Sequence, residues 1–203
     1  MMNKFTLVSA AFILLAIGAC KKSNSGGGSG PGSDPLTGNW NFTSMTSNAT
    51  ITASESFGPI TTKVVDVVDF TTKNNMGSFV FTADSLAASG LGYTIDTTYT
   101  TYTYVGTTGD TVVTPINTTI PPASSTEAYT LVGSDSINFP GATPFTVGLS
   151  TGQSVQISGA HFAISGTTLT LTSTINQTTS ETFGGITAPA TTQAKTIITL
   201  TKQ

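Results

Sequence analysis

Apolar and polar residues alternate along most of this 203-residue chain, in short runs broken by Gly, Ser, Asp or Pro. Phe79 and Phe81 share one parity in residues 78–82. Tyr129 and Leu131 precede Gly133-Ser134, after which Ile137 and Phe139 resume the period. Phe162 and Ile164 lead into Ser165-Gly166, followed by Leu169 and Leu171. A period of two places successive side chains on opposite faces of a strand, and a Gly-bearing break between two such runs is hairpin chemistry. Phe145, Val147 and Leu149 predict another strand, and Ile198 with Leu200 a closing one. No window carries a helical period beyond a turn at residues 84–89.

Two stretches are less regular. In residues 97–104 the tyrosines change parity between Tyr99 and Tyr102, which predicts a bulge or an exposed Tyr99. Pro121-Pro122, followed by Ala123-Ser124-Ser125, predicts the clearest long loop of the chain. The whole pattern predicts one all-β domain over residues 36–203, with about eight to ten antiparallel strands. An up-and-down β-barrel or a two-sheet β-sandwich would house them, and periodicity alone does not separate the two.

The first 19 residues predict an address, not part of that domain. Lys4 is followed by an apolar run of about 15 residues ending in Gly18-Ala19, the pattern of a secretory signal peptide. A membrane-spanning helix needs about 20. Residues 20–35 hold Cys20, Lys21, Lys22 and then a Gly/Ser-rich stretch whose composition predicts a tether of roughly 20–24 Å root-mean-square span. Ile17-Gly18-Ala19-Cys20 resembles the lipobox of bacterial lipoproteins. The resemblance implies cleavage before Cys20 and acylation there, with chains such as palmitate giving stable membrane attachment. Cys20 is the only Cys, so disulfide and thiol chemistry would then be spent. The expected location is the outer membrane, held by lipid and facing the periplasm, because Lys21 and Lys22 stand where surface-exported lipoproteins of Bacteroidota carry acids; display at the cell surface is the alternative.

Composition narrows the function. Charged residues make up 8% of the chain, against roughly 25% in soluble domains, and roughly a fifth of the residues are Thr. Thr suits a pleated surface and keeps it wet without charge. With no Arg and a net charge of −3, the chain lacks the cationic footprint of a nucleic-acid binder. One His and one Cys cannot build a His/Cys metal centre, and no cofactor or metal is expected. A Ser/His/Asp mechanism would have to run through His161, which sits beside a strand with no nucleophile-elbow pattern; the ordinary reading is a rim or turn histidine. No catalytic residue is expected, and the chain is read as a non-enzyme.

The domain opens with Leu36-Thr37-Gly38-Asn39-Trp40-Asn41-Phe42, and Gly38-x-Trp40 resembles the start of the first strand of lipocalins. The order of the later segments, "FTADSL", "YTLVGSDSINF", "ISGTTLTLTST" and "TIITLTKQ", is similar to that of lipocalin-like lipoproteins of Bacteroidota. This implies a barrel more strongly than a transported ligand, and Trp40 reads as a plug at the barrel's closed end rather than a ligand contact. Lipocalins usually pack an Arg over that Trp, and this chain has none; their Thr-Asp-Tyr loop motif is missing as well.

Asp66 shares parity with Val64, Val68 and Phe70, making it the candidate ligand-binding acid if it faces a cavity. A bulge turning it outward is the ordinary alternative, and the other register would put Asp69 inside with Val65 and Val67. Asp84-Ser85, Asp96-Thr97, Asp110-Thr111 and Asp135-Ser136 resemble the O-glycosylation sequon of exported Bacteroidota proteins, which makes Ser85, Thr97, Thr111 and Ser136 candidate acceptors. Asp capping its own backbone in turns explains the same pairs without modification. Together these readings predict an envelope lipoprotein with a lipocalin-like domain, partnered by the membrane and by a small apolar or amphipathic ligand or acting as an accessory module. The alternative is an interaction or adhesion protein contacting polysaccharide or another envelope protein. The first would need an interior pocket of at least about 300 Å³ lined by Phe, Val, Ile and Leu.

Overall fold

The structure, a computed structural model, describes residues 34–141, 146–148, 154–183 and 186–203. The signal peptide, Cys20, Lys21, Lys22 and the tether up to Ser33 lie outside the described residues, as do Phe145 and Leu149. Every regular element among the described residues is a strand: β1 (Gly38–Phe57), β2 (Ile60–Thr71), β3 (Lys73–Phe81), β4 (Ser85–Val105), β5 (Thr108–Ala128), β6 (Thr130–Val132), β7 (Ser136–Asn138), β8 (Thr146–Gly148), β9 (Ser154–Gln156), β10 (Gly159–Ser165), β11 (Thr168–Phe183) and β12 (Ile186–Lys202).

The pairing closes on itself. β2 and β3 form one course interrupted at Thr72, lying between β1 and β4. β5 and β6 form another, β5 bonded to β4 and β6 to β7, with the Tyr129 N–H between them donating to the Asp84 carbonyl at 2.9 Å. β7 continues through β10, β11 and β12, and β12 returns to β1. The result is an eight-course antiparallel up-and-down barrel, with β8 and β9 as a separate two-stranded ribbon. The expected barrel, and not the sandwich, is the fold. The hairpins expected around Gly133-Ser134 and Ser165-Gly166 are β6–β7 and β10–β11.

The courses are unequal. β1 has 20 residues and β4 and β5 have 21 each, roughly 60–70 Å at about 3.3 Å per residue, whereas β7 has 3 and β10 has 7. β11, β12, β1, β2, β4 and β5 therefore outrun the short wall and continue as a sheet. The end at which the described chain enters, beside Leu36 and the Gly166-Thr167 turn, is the base. The other end is the tip, carrying the turns Gly58-Pro59 and Gly106-Thr107.

A bulge decides what fills the interior. The β1–β12 register shifts between Phe42 and Ser44, so Trp40 and Phe42 point inward before it and Met45, Ala49 and Ile51 after it. Without that extra residue one half of β1 would turn its apolar set to water. Large side chains occupy the base, where Trp40, Phe79, Phe81 and Leu200 are almost wholly buried. Phe42 meets Phe79 and Tyr93 edge to face, with centroids 6.2 and 6.0 Å apart. Toward the tip the inner face of β1 and β12 narrows to Ala49, Ala53, Ala190 and Ala194, all in the same buried cluster as Val68, Phe70 and Tyr99.

Three expectations are corrected. Residues 85–89 are strand, not a turn, because Leu86 and Ala88 alternate into the core. Pro121-Pro122 is not a loop: both prolines lie in β5, an edge strand, at the point where its register against β4 slips between Leu91 and Tyr93. An edge strand tolerates residues lacking an N–H, and the slip accommodates the pair. Tyr99 is neither exposed nor next to a bulge. The β2–β4 register runs unbroken from Thr62–Val105 to Val68–Tyr99, so Tyr99 points inward and Tyr102 and Tyr104 outward.

Candidate functional site

Asp66 is buried on the inner face of β2, and the Thr101 hydroxyl donates to its Oδ1 at 2.8 Å. The bulge that would have turned it outward is absent because the β1–β2 register is continuous there; Asp69, of the other parity, is exposed. Asp66 is thus held by a cross-strand hydroxyl within the wall. The interior positions around it carry buried side chains.

The base is closed by a connected set of groups. Trp40 Nε1–H donates to the Leu36 carbonyl at 2.8 Å, and the Leu36 N–H donates to Asp34 Oδ1 at 2.9 Å. The Tyr129 hydroxyl donates to Asp34 Oδ2 at 2.6 Å, with the Thr82 carbonyl also in reach. Burial, then the hydrogen bond and charge of Asp34, then the charge of Asp84 push the Tyr129 phenol well above its ordinary range. Trp40 sits as the plug expected of it. Lys202 Nζ, from the last strand, lies 5.6 Å from the Trp40 ring centroid, a cation over the indole face. Sequence reading missed this, though Trp40 faces Lys202 once the last strand is paired with the first.

His161 and Ser136 face each other across β10 and β7, with Ser136 Oγ 2.9 Å from His161 Nδ1. Asp135 Oδ2 lies 4.0 Å from the same nitrogen, and both side chains are largely exposed. A nucleophilic triad uses the two ring nitrogens for different partners, and this cluster loads one. Among the candidate acceptors, Ser85 Oγ is 2.7 Å from Thr82 Oγ1, and Thr97 Oγ1 donates to the Asp69 carbonyl at 2.6 Å. Thr111 is exposed on β5, and its N–H donates to Asp110 Oδ1 at 2.8 Å, the capping chemistry of an Asp beside its own backbone.

Near the tip, the outer face of β2 and β4 forms an open cleft of about 530 Å³ lined by Thr61, Lys63, Val65, Tyr102, Tyr104 and Gly106. The register builds it: Lys63 is paired with Tyr104 and Val65 with Tyr102, while Tyr104 faces Gly109 on β5. Gly109 has no side chain to lift the ring; a Cβ there would stand 3.3 Å from Tyr104 Cδ1 and Cε1. Ile60, Tyr104, Val105, Val112 and Val113 are all exposed at this end, from 41% for Tyr104 to 57% for Val113. Among the described residues the Lys ion pair is Lys73–Asp96, and Lys63 has no part in it. Sequence reading saw the tyrosines only as a parity change, because nothing local places residue 63 beside residue 104. The chain matches no protein-family model, no curated protein and no solved structure.

Proposed function

We propose that this chain is a lipid-anchored protein of the bacterial cell envelope, of the lipocalin-like lipoprotein type, working as an interaction module through the outer sheet face at its tip. The carrying observation is the placement of the cleft: it lies outside the barrel, at the end remote from where the tether to Cys20 enters. A lipid at Cys20 would hold the base toward the bilayer and present the tip to the envelope. The interior offers a small apolar ligand buried side chains, so the outer face is the better-supported surface. On this reading the barrel is the rigid mount and the Thr-rich extension is the reach.

A photo-crosslinking amino acid tests it. Placed at Thr107 in the acylated protein in its own membranes, it is expected to capture envelope material; placed at Thr167 in the base turn, it is not. Equal capture from both positions, or capture from Thr167 alone, would overturn the reading. Loss of palmitate labelling in Cys20→Ser is expected, and retained labelling would remove the anchor.

A further inference from the structure

We infer that the tip cleft is a binding site for an acidic polysaccharide, with Tyr102 and Tyr104 as stacking faces and Lys63 as the counter-ion of a uronate carboxylate. The inference rests on the tip being the working surface and names what that surface takes. Tyr102 and Tyr104 project from the same side of β4, about 7 Å apart along the strand. An exposed phenol offers an apolar face and a hydrogen-bonding rim, the combination a sugar ring presents in return. Val65 extends the apolar floor, and Thr61 lines the cleft with a hydroxyl.

Lys63 supplies the charge argument. Its cross-strand neighbours are Ser54 on β1 and Tyr104 on β4. Glu55, Asp66 and Asp110 pair with Thr62, Thr101 and Thr103, which have the opposite parity, so these acids belong to the other face. Asp69 is the next acid on Lys63's own face of β2, roughly 20 Å along the strand. A cation flanked by aromatic rings and hydroxyls, with no acid beside it, is complementary to an anion carried on a hydroxylated scaffold.

Two other occupants fit less well. A peptide adding itself as a strand needs a long continuous sheet edge, and on β5 the proline-free run beside this cleft ends at Thr114, before Pro115, Pro121 and Pro122, each without an N–H. A second copy packed face to face about a twofold axis through the cleft would bring the two Lys63 side chains together.

The test uses the full acylated protein in detergent and measures binding to polygalacturonate, neutral dextran and poly-glutamate by titration calorimetry at two salt concentrations. Polygalacturonate is expected to bind most tightly, and more weakly as salt rises. Tyr102→Ala and Tyr104→Ala should each lower that affinity by about tenfold, and Tyr104→Phe should keep most of it. Lys63→Gln should abolish both the preference over dextran and the salt dependence. Binding unchanged in all these variants, poly-glutamate bound as tightly as polygalacturonate, or no binding of polygalacturonate would each overturn the inference. Crosslinking from Thr107 is the separate readout: if it persists while polygalacturonate fails, the ligand class is wrong and the tip reading stands.

Discussion

Tyr129 ties three separate stretches of chain together at the base: its own link between β5 and β6, Asp34 where the described chain enters, and Thr82 at the β3–β4 turn. A hydrogen bond to a charged group is worth about 1.5–3 kcal/mol, so Tyr129→Phe should lower the unfolding free energy at neutral pH by an amount in that range, read as a lower urea midpoint at unchanged slope. The folded-state phenol is raised above its unfolded value near 10. Its contribution is therefore complete below about pH 10 and is lost as pH rises through the folded value. The stability gap between wild type and Tyr129→Phe should shrink in urea titrations above pH 10; a gap constant from pH 7 to 11 would contradict the assignment. Gly77 is the other residue with a sharp expectation. Its φ is +101°, and an added Cβ would stand 2.6 Å from the Gly90 carbonyl oxygen, so Gly77→Ala should cost at least about 2 kcal/mol. Gly58, at φ +60° with open space around it, should lose only about 1 kcal/mol as Ala. The comparison separates steric closure from backbone preference in one set of denaturation curves.

At the scale of strands, legibility followed contrast between faces. Phe79/Phe81, Ile137/Phe139 and Leu169/Leu171 were readable because an apolar inner face alternates with a polar outer one. The tip strands have Thr on both faces, so Tyr99 pointing in while Tyr102 points out left no periodic mark. The Pro121-Pro122 reading failed for a different reason: whether a strand lies at an edge is decided by its neighbours, and edge position is what makes proline tolerable there. Lys63 beside Tyr104 was hidden for the same cause, since register across strands is not written locally. Those prolines have a testable consequence. Replacing Pro115, Pro121 and Pro122 by Thr restores three N–H groups to β5, and the variant should self-associate through that edge as light scattering reads it. A variant that stays as dispersed as the wild type would show that the β5 edge is protected by something other than proline.

For the molecule as a whole, the low charge and the unequal strands point the same way. A short-walled barrel would need only short strands, yet β1, β4 and β5 run to 20 residues or more, with the extra length directed away from the base. On the proposed anchoring, Thr167 lies near the bilayer and Thr107 roughly 60 Å farther along the tilted strands, about 40–50 Å in height, a separation larger than the root-mean-square span expected of the tether. Even with the tether tilting the domain, the averages should differ. Spin labels on Thr107→Cys and Thr167→Cys, in protein whose own Cys20 is acylated and reconstituted in vesicles, report this through collision with a lipid-soluble relaxer. The Thr167 label should be quenched measurably and the Thr107 label scarcely at all. The reverse order would mean that the exposed Ile60, Val105, Val112 and Val113 at the tip meet the membrane instead, and that the apolar end, not the acylated one, sets the orientation.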